Sequence, residues 1–133
     1  MHNKRLNQVI RQLENHLECW KLLNHYIGLG RTKRFDAEDE NQFLEIKSVL
    51  TQELEIILAA VECASPSKEE VHALIGGIPS IRFLSELTED SLRSVENQWH
   101  KVYISWQSLL GQLKVQQRKL ENETFIGSIF RKQ

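Results

Sequence analysis

The chain has few of the residues that interrupt regular structure. Its 133 residues include only two prolines and six glycines. Because proline and glycine mark turns and end helices, their scarcity argues against many short strands joined by tight turns. The length corresponds to about one domain, which at this size can bury roughly two-thirds of its unfolded surface. We therefore expect one domain with long helices and few loops.

The sequence also has little that would direct it to a membrane or out of the cell. No apolar run approaches the roughly 20 residues that a membrane span requires. Met1–Arg5 leads straight into an alternating polar and apolar pattern, so we expect no signal peptide. The two cysteines, Cys19 and Cys63, form no CxxC pair and fall in helical segments, where free cysteine packs as a small hydrophobe. We expect a cytoplasmic protein without a membrane span.

No strong net charge is present, since the formal value is −1. The charges are unevenly distributed: residues 1–35 carry seven basic and two acidic residues, and residues 36–70 carry two basic and ten acidic residues. Such a division suits two neighbouring antiparallel helices. The basic loop contains only Arg31, Lys33 and Arg34, whereas nucleic-acid recognition needs a broader basic face. We expect no nucleic-acid partner and assign these charges to the negative end of the helix dipole.

Two long amphipathic helices are predicted in the first half. The first runs from about Asn3 to Ile27, and Gly28-Leu-Gly30 is expected to end it. The second begins after Asp36, a suitable N-cap, and runs to about Glu62. Their apolar stripes consist of Leu6, Ile10, Leu13, Leu17 and Trp20, with Val9, Leu23 and Tyr26 beside them, and of Phe43, Leu44, Ile46, Leu50, Leu54, Ile57, Leu58 and Val61. The next heptad step falls on Asn24, which either fixes helix register inside the core or faces water.

A broken third arm is predicted over residues 68–87. Ser67 and Glu70 form a capping-box pattern, Gly76-Gly77 stops the first short helix, and Pro79 is expected at the first position of another. Thr88 then caps a last long helix that continues to about Asn122. Its apolar residues repeat in steps of three and four: Leu92, Val95, Trp99, Val102, Trp106, Leu109 and Leu113.

These elements predict an all-α fold, an up-and-down antiparallel helical bundle with three long helices and a short broken third arm, resembling a four-helix bundle. A three-helix bundle with a short helical cap is the alternative. We expect residues 1–123 to form the single bundle domain and residues 124–133 to form a C-terminal tail that contains apolar residues.

Signatures of chemistry are sparse. The histidines make no HExxH zinc pattern, neither cysteine has a catalytic context, and no glycine loop is built to hold phosphate. We therefore expect no enzyme, no catalytic residue, no cofactor and no metal. The alternative function is a metal- or small-ligand-binding bundle in which Glu69, His72, Glu96 and His100 face inward, because Glu and His at helical spacing share a face.

Two apolar groups are candidates for binding a partner. Trp99, Tyr103 and Trp106 lie on one side of the last helix, where they either fill the core against Trp20 or form an exposed aromatic strip. The tail contains Phe125, Ile126, Ile129 and Phe130, which could fold back onto the bundle, dock on a second subunit or another protein, or touch a membrane. The leading hypothesis is a non-enzymatic helical protein–protein interaction or structural module that self-associates as a homodimer.

Overall fold

The computed structural model describes the backbone of residues 2–61 and 65–131, and the side chains of residues 4–61 and 65–123. Within these ranges the chain forms helices and no strands, which confirms the predicted all-α class and the helical bundle. The helices are α1 (His2–Thr32), α2 (Ala37–Ala60), α3 (Lys68–Gly76), α4 (Ile81–Ser85) and α5 (Glu89–Arg131).

The first helix is the centre of the bundle. It packs against α2, α4 and α5, while the short α3 packs between α2 and α5. Tyr26 donates a hydrogen bond to the side chain of Gln42, and His16 pairs with Glu53 farther along. Because residues late in α1 meet residues early in α2, these two helices are antiparallel, as the short connection between them requires.

The last helix is also antiparallel to α1. Near one end of the pair, the Arg31 guanidinium binds the carboxylates of Glu89 and Glu96. Near the other end, the Gln117 amide donates to the side-chain oxygen of Asn7. The pairing with both glutamates raises the pKa of Arg31. This arginine therefore ties the end of α1 to the start of α5, in addition to lying near the helix dipole.

One buried apolar cluster joins the long helices. Trp20, Leu50 and Leu109 all belong to it, as the helical periodicity predicts. Leu23 is fully buried and Asn24 is exposed. Of the two interpretations of Asn24, the one in which it faces water is therefore correct. The largest side chains with at most 1% of their surface exposed include Trp106, Phe43, Leu13, Ile27, Leu54, Ile57, Ile78, Ile81 and Leu84.

The predicted end of the first helix at Gly28-Leu-Gly30 is wrong. The helix continues to Thr32, and the residue that takes a left-handed conformation is Lys33, with φ of 60°. The amides of Lys33 and Arg34 donate to the carbonyls of Gly30 and Leu29, which is the Schellman pattern of a helix C-terminus. Gly30 has a packing role instead, because a Cβ there would lie 2.8 Å from the Cβ of Leu84.

The predicted caps are largely confirmed. Asp36 forms a capping box with Asp39 at the start of α2, and the hydroxyls of Ser67 and Thr88 accept backbone hydrogen bonds at the starts of α3 and α5. Two details differ from the prediction. Only the Ser67 half of its capping box is formed, because the Glu70 carboxylate lies 4.0 Å from the Lys101 ammonium. At the start of α4 the N-cap is Ser80, so the helix begins at Ile81 instead of the predicted Pro79.

The long helix α5 extends past its predicted end. The sequence predicts an end near Asn122, but the 43 residues of the helix continue to Arg131. In the register set by Asn7 and Gln117, the first residue of α1 lies level with about Asn122. The last turns of α5 therefore run beyond the start of the helix that it packs against.

Candidate functional site

The two ends of the bundle are closed to different degrees. At the end where α1 stops and α5 begins, the short α4 packs on α1 around Gly30 and closes the interior. The Glu40 carboxylate of α2 holds this helix in place by accepting from the backbone amides of Ile81 and Arg82, at 2.6 and 3.4 Å. Lys47 of α2 adds a hydrogen bond to the Ile78 carbonyl at 2.9 Å.

The opposite end of the bundle is open. Helix α2 stops at Ala60, whereas α5 continues alongside the beginning of α1. Past the last turn of α2, no third helix of the described part of the chain covers the pair formed by α1 and α5. A groove of about 380 Å³ lies there, lined by Arg5, Leu6, Val9, Ala60, Val61, Leu109, Gln112, Leu113, Gln116 and Leu120. We call this the end groove.

The end groove has an apolar floor and a polar rim. Val9, Leu109 and Leu113 form its buried base, and the exposed side chains of Gln112 and Gln116 stand at its edge. Among the described residues of the lining, Arg5 is the one ionisable side chain. These lining residues therefore supply no acid–base pair and no nucleophile. Its shape and composition suit the apolar side of a helix, which binds such grooves through residues three and four apart.

The aromatic strip lies mostly in the core. Trp106 has no exposed surface and Trp99 is 8% exposed, while Tyr103 is half-buried. The indole nitrogen of Trp99 donates to the Trp20 carbonyl at 2.9 Å, and the Tyr103 ring stacks on Trp99 with centroids 4.8 Å apart. Of the two interpretations of these residues, the structure favours core packing against Trp20.

The four apolar residues of the tail lie outside the described side chains. The backbone that carries Phe125, Ile126, Ile129 and Phe130 is helical and continuous with the rest of α5. The structure does not bring these residues together with the aromatic strip, which lies in a different part of the helix. Their role in binding a partner stays a prediction.

A buried polar cluster centred on His16 escaped the sequence analysis. His16 has no exposed surface; its Nε2 accepts from the Trp20 indole at 2.9 Å, and its Nδ1 lies 3.0 Å from a carboxylate oxygen of Glu53. Since Trp20 can only donate, Nε2 must be unprotonated and Nδ1 must carry the proton. Burial lowers the pKa of His16, and the Glu53 hydrogen bond opposes this shift only in part.

The second indole near His16 completes the cluster. The Trp106 ring lies edge-on to the imidazole, with centroids 5.1 Å apart, and its Nε1 is buried without a hydrogen-bond partner among the described residues. Because His16 is inaccessible, we assign the cluster to the core instead of to chemistry on a substrate. The buried position of His16 could have been predicted from a second series of residues in α1 that repeats in steps of four and three. This series consists of Val9, Leu13, His16, Trp20, Leu23 and Ile27.

The residues of the alternative metal hypothesis have other partners. Glu96 binds Arg31, and His72 lies 3.8 Å from a carboxylate oxygen of Glu55, while Glu69 and His100 are exposed. In the described part of the chain, no three His, Cys, Asp or Glu residues are grouped so that they could hold a metal ion. The structure therefore does not assemble the predicted inward-facing set.

No protein-family model, curated protein or solved structure matches this chain. Among the helices described here, none combines the length and the apolar character needed to cross a bilayer.

Proposed function

We propose that this protein is a non-enzymatic helical protein–protein interaction module, and that the end groove is its docking surface. The observation that carries the proposal is the early end of α2 at Ala60, past which no described residue covers the apolar surface of the α1–α5 pair. A groove lined by three helices suits an amphipathic helix whose apolar residues recur at helical spacing.

The composition of the end groove supports binding over catalysis. Its floor is apolar, so a docked helix would remove leucine and valine surface from water, which is the main driving force of such association. Its rim is polar, as in the outer ring of typical protein interfaces. A cytoplasmic location belongs to the same proposal, because the half-buried Cys19 is a free thiol.

The proposal is tested by placing a photo-crosslinking amino acid in the full chain in its native cell. Gln116 is exposed and lines the end groove, whereas Val115 is 49% exposed on the same helix and does not. We expect the probe at Gln116 to react with an amphipathic helical segment, identified by mass spectrometry, and the probe at Val115 to give no such adduct. Equal labelling from both positions, or no adduct from Gln116, would contradict the proposal.

A further inference from the structure

The continuation of α5 beyond the bundle identifies a candidate occupant for the end groove. The helix continues to Arg131, whereas its neighbour α1 begins level with about Asn122. Residues 123–131 therefore run past α1, and together with Glu121 and Asn122 they make a helical end of eleven residues and roughly 16 Å. We call residues 121–131 the α5 end.

The α5 end cannot fill the groove of its own chain. It continues the axis of the helix that forms one wall of that groove, and it would have to break and reverse to lie in it. The groove runs along α5 from Leu109 to Leu120, which is also roughly 16 Å. The α5 end is therefore long enough to span the part of the groove that α2 leaves free, which begins about level with Ala60.

The sequence of the α5 end has the pattern that such a groove binds. Phe125, Ile126, Ile129 and Phe130 are spaced so that they fall on one side of a helical wheel. We propose that the α5 end of a second copy docks antiparallel in the end groove, and that the two copies exchange these ends about a two-fold axis. The inference rests on the proposed function of the groove and names its occupant.

The charges flanking the apolar group fit an antiparallel exchange. In the register that centres residues 125–130 of one copy on the groove of the other, Glu123 comes level with Lys119 of the second copy, while the two exposed Glu121 side chains meet at the two-fold axis. Glu123 and Lys119 are both exposed, and the two-fold axis repeats their pairing on the opposite side. Opposite charges at the rim of an interface favour one register over others.

The first test is the solution mass of the full chain and of two kinds of variant across a concentration series. We expect wild type to dimerise. We expect I126E, in the α5 end, and the double change Gln112→Arg with Gln116→Arg, at the groove rim, each to weaken dimerisation by about tenfold or more. The matched controls are S128E, outside the apolar arc of the wheel, and V115R, on α5 outside the groove. Both controls should dimerise like wild type.

Mixing the two defective variants tests the exchange itself. The groove variant retains a normal α5 end, and I126E retains a normal groove, so one heterodimer contact is intact. We expect heterodimers to form at concentrations where each variant alone is monomeric. If the α5 ends of two copies instead pair directly with each other, the rim changes should not weaken dimerisation, and mixing the variants should not restore it. Either of these observations would overturn the inference.

A further outcome separates this inference from the proposed function. A wild-type chain that stays monomeric up to about 100 µM overturns the exchange, because the association would then be too weak to be specific. The photo-crosslinking probe at Gln116 still decides whether the groove binds a helix of another protein. An adduct with a different protein from a monomeric chain would retain the docking groove and reject the second copy.

Discussion

His16 shows how one polar residue is accommodated in the core. Its imidazole accepts from Trp20 and donates toward Glu53, so both ring nitrogens are satisfied only in the neutral form. Protonation would place a second N–H against the indole N–H of Trp20. Burial also disfavours the charged imidazole, and it is the main reason why the pKa of His16 is lowered.

This arrangement makes stability depend on pH. The folded state binds a proton at His16 less readily than the unfolded state, whose histidine has the ordinary pKa of about 6.5. The free energy of unfolding should therefore fall as the pH is lowered through 6.5 towards the depressed pKa of the folded state. Urea unfolding between pH 5 and 7.5, at one fixed protein concentration, measures this slope.

Replacing the histidine isolates its contribution to that slope. His16→Gln retains one donor and one acceptor but cannot titrate, so its stability should depend less on pH in this window. His25→Gln, at an exposed histidine of the same helix, is the matched control for the substitution. A slope that persists in His16→Gln would show that other groups cause it.

The two glycines near the end of α1 should respond oppositely to alanine. In Gly30→Ala the new Cβ would lie 2.8 Å from the Leu84 Cβ and 3.3 Å from the Ile81 carbonyl, so we expect a loss of about 1–3 kcal/mol. In Gly28→Ala the Cβ meets no atom within 4 Å, and we expect a gain of about 0.5–1 kcal/mol. Chemical denaturation of the pair gives both values, and equal effects would argue against close packing at Gly30.

Such residue-level features were only partly predictable. The sequence identifies apolar stripes, but it does not tell a glycine that ends a helix from one that admits a neighbour. That distinction at Gly30 depends on α4, which is more than fifty residues away in the chain. His16 lay within a regular register of α1, yet its partner Glu53 belongs to another helix.

At the scale of elements, the ends of helices were predicted correctly where residues close in sequence determine them, and less well where distant residues do. Asp36, Ser67 and Thr88 were correctly predicted as caps because each acts on amides within three residues of itself. The start of α4 was missed because distant groups help to define it. Glu40 of α2 accepts from its first amides, and Ser80 provides the local cap.

The support that α2 gives to α4 can be measured directly. Glu40→Ala removes the acceptor for the Ile81 and Arg82 amides and should cost about 1–2 kcal/mol. Glu40→Gln keeps a neutral acceptor and should cost less. Glu38→Ala is the matched control, since Glu38 lies in the same first turn of α2 and shares its dipole contribution. If Glu40→Ala lowers the free energy of unfolding no more than Glu38→Ala does, the contact between Glu40 and α4 is contradicted.

At the scale of the whole molecule, the proposed function depends on the difference between the two ends of the bundle. The closed end results from α4 packing around Gly30, and the open end results from α2 being shorter than its neighbours. Periodicity predicted that the long helices exist and share a core. The end groove could not be predicted, because it depends on where three helices end relative to one another. The continuation of α5 past Asn122 was also not predicted from the sequence, and it is seen only in the backbone of the structure.

The most direct test of self-association through the end groove is methyl NMR of the full chain over a series of protein concentrations. We expect the methyl resonances of Val9, Val61 and Leu113, which line the end groove, to shift as the protein associates. Those of Leu44 and Ile56, which are exposed on α2, should remain fixed. Shifts confined to Leu44 and Ile56, with unchanged groove methyls in an associating sample, would contradict the account.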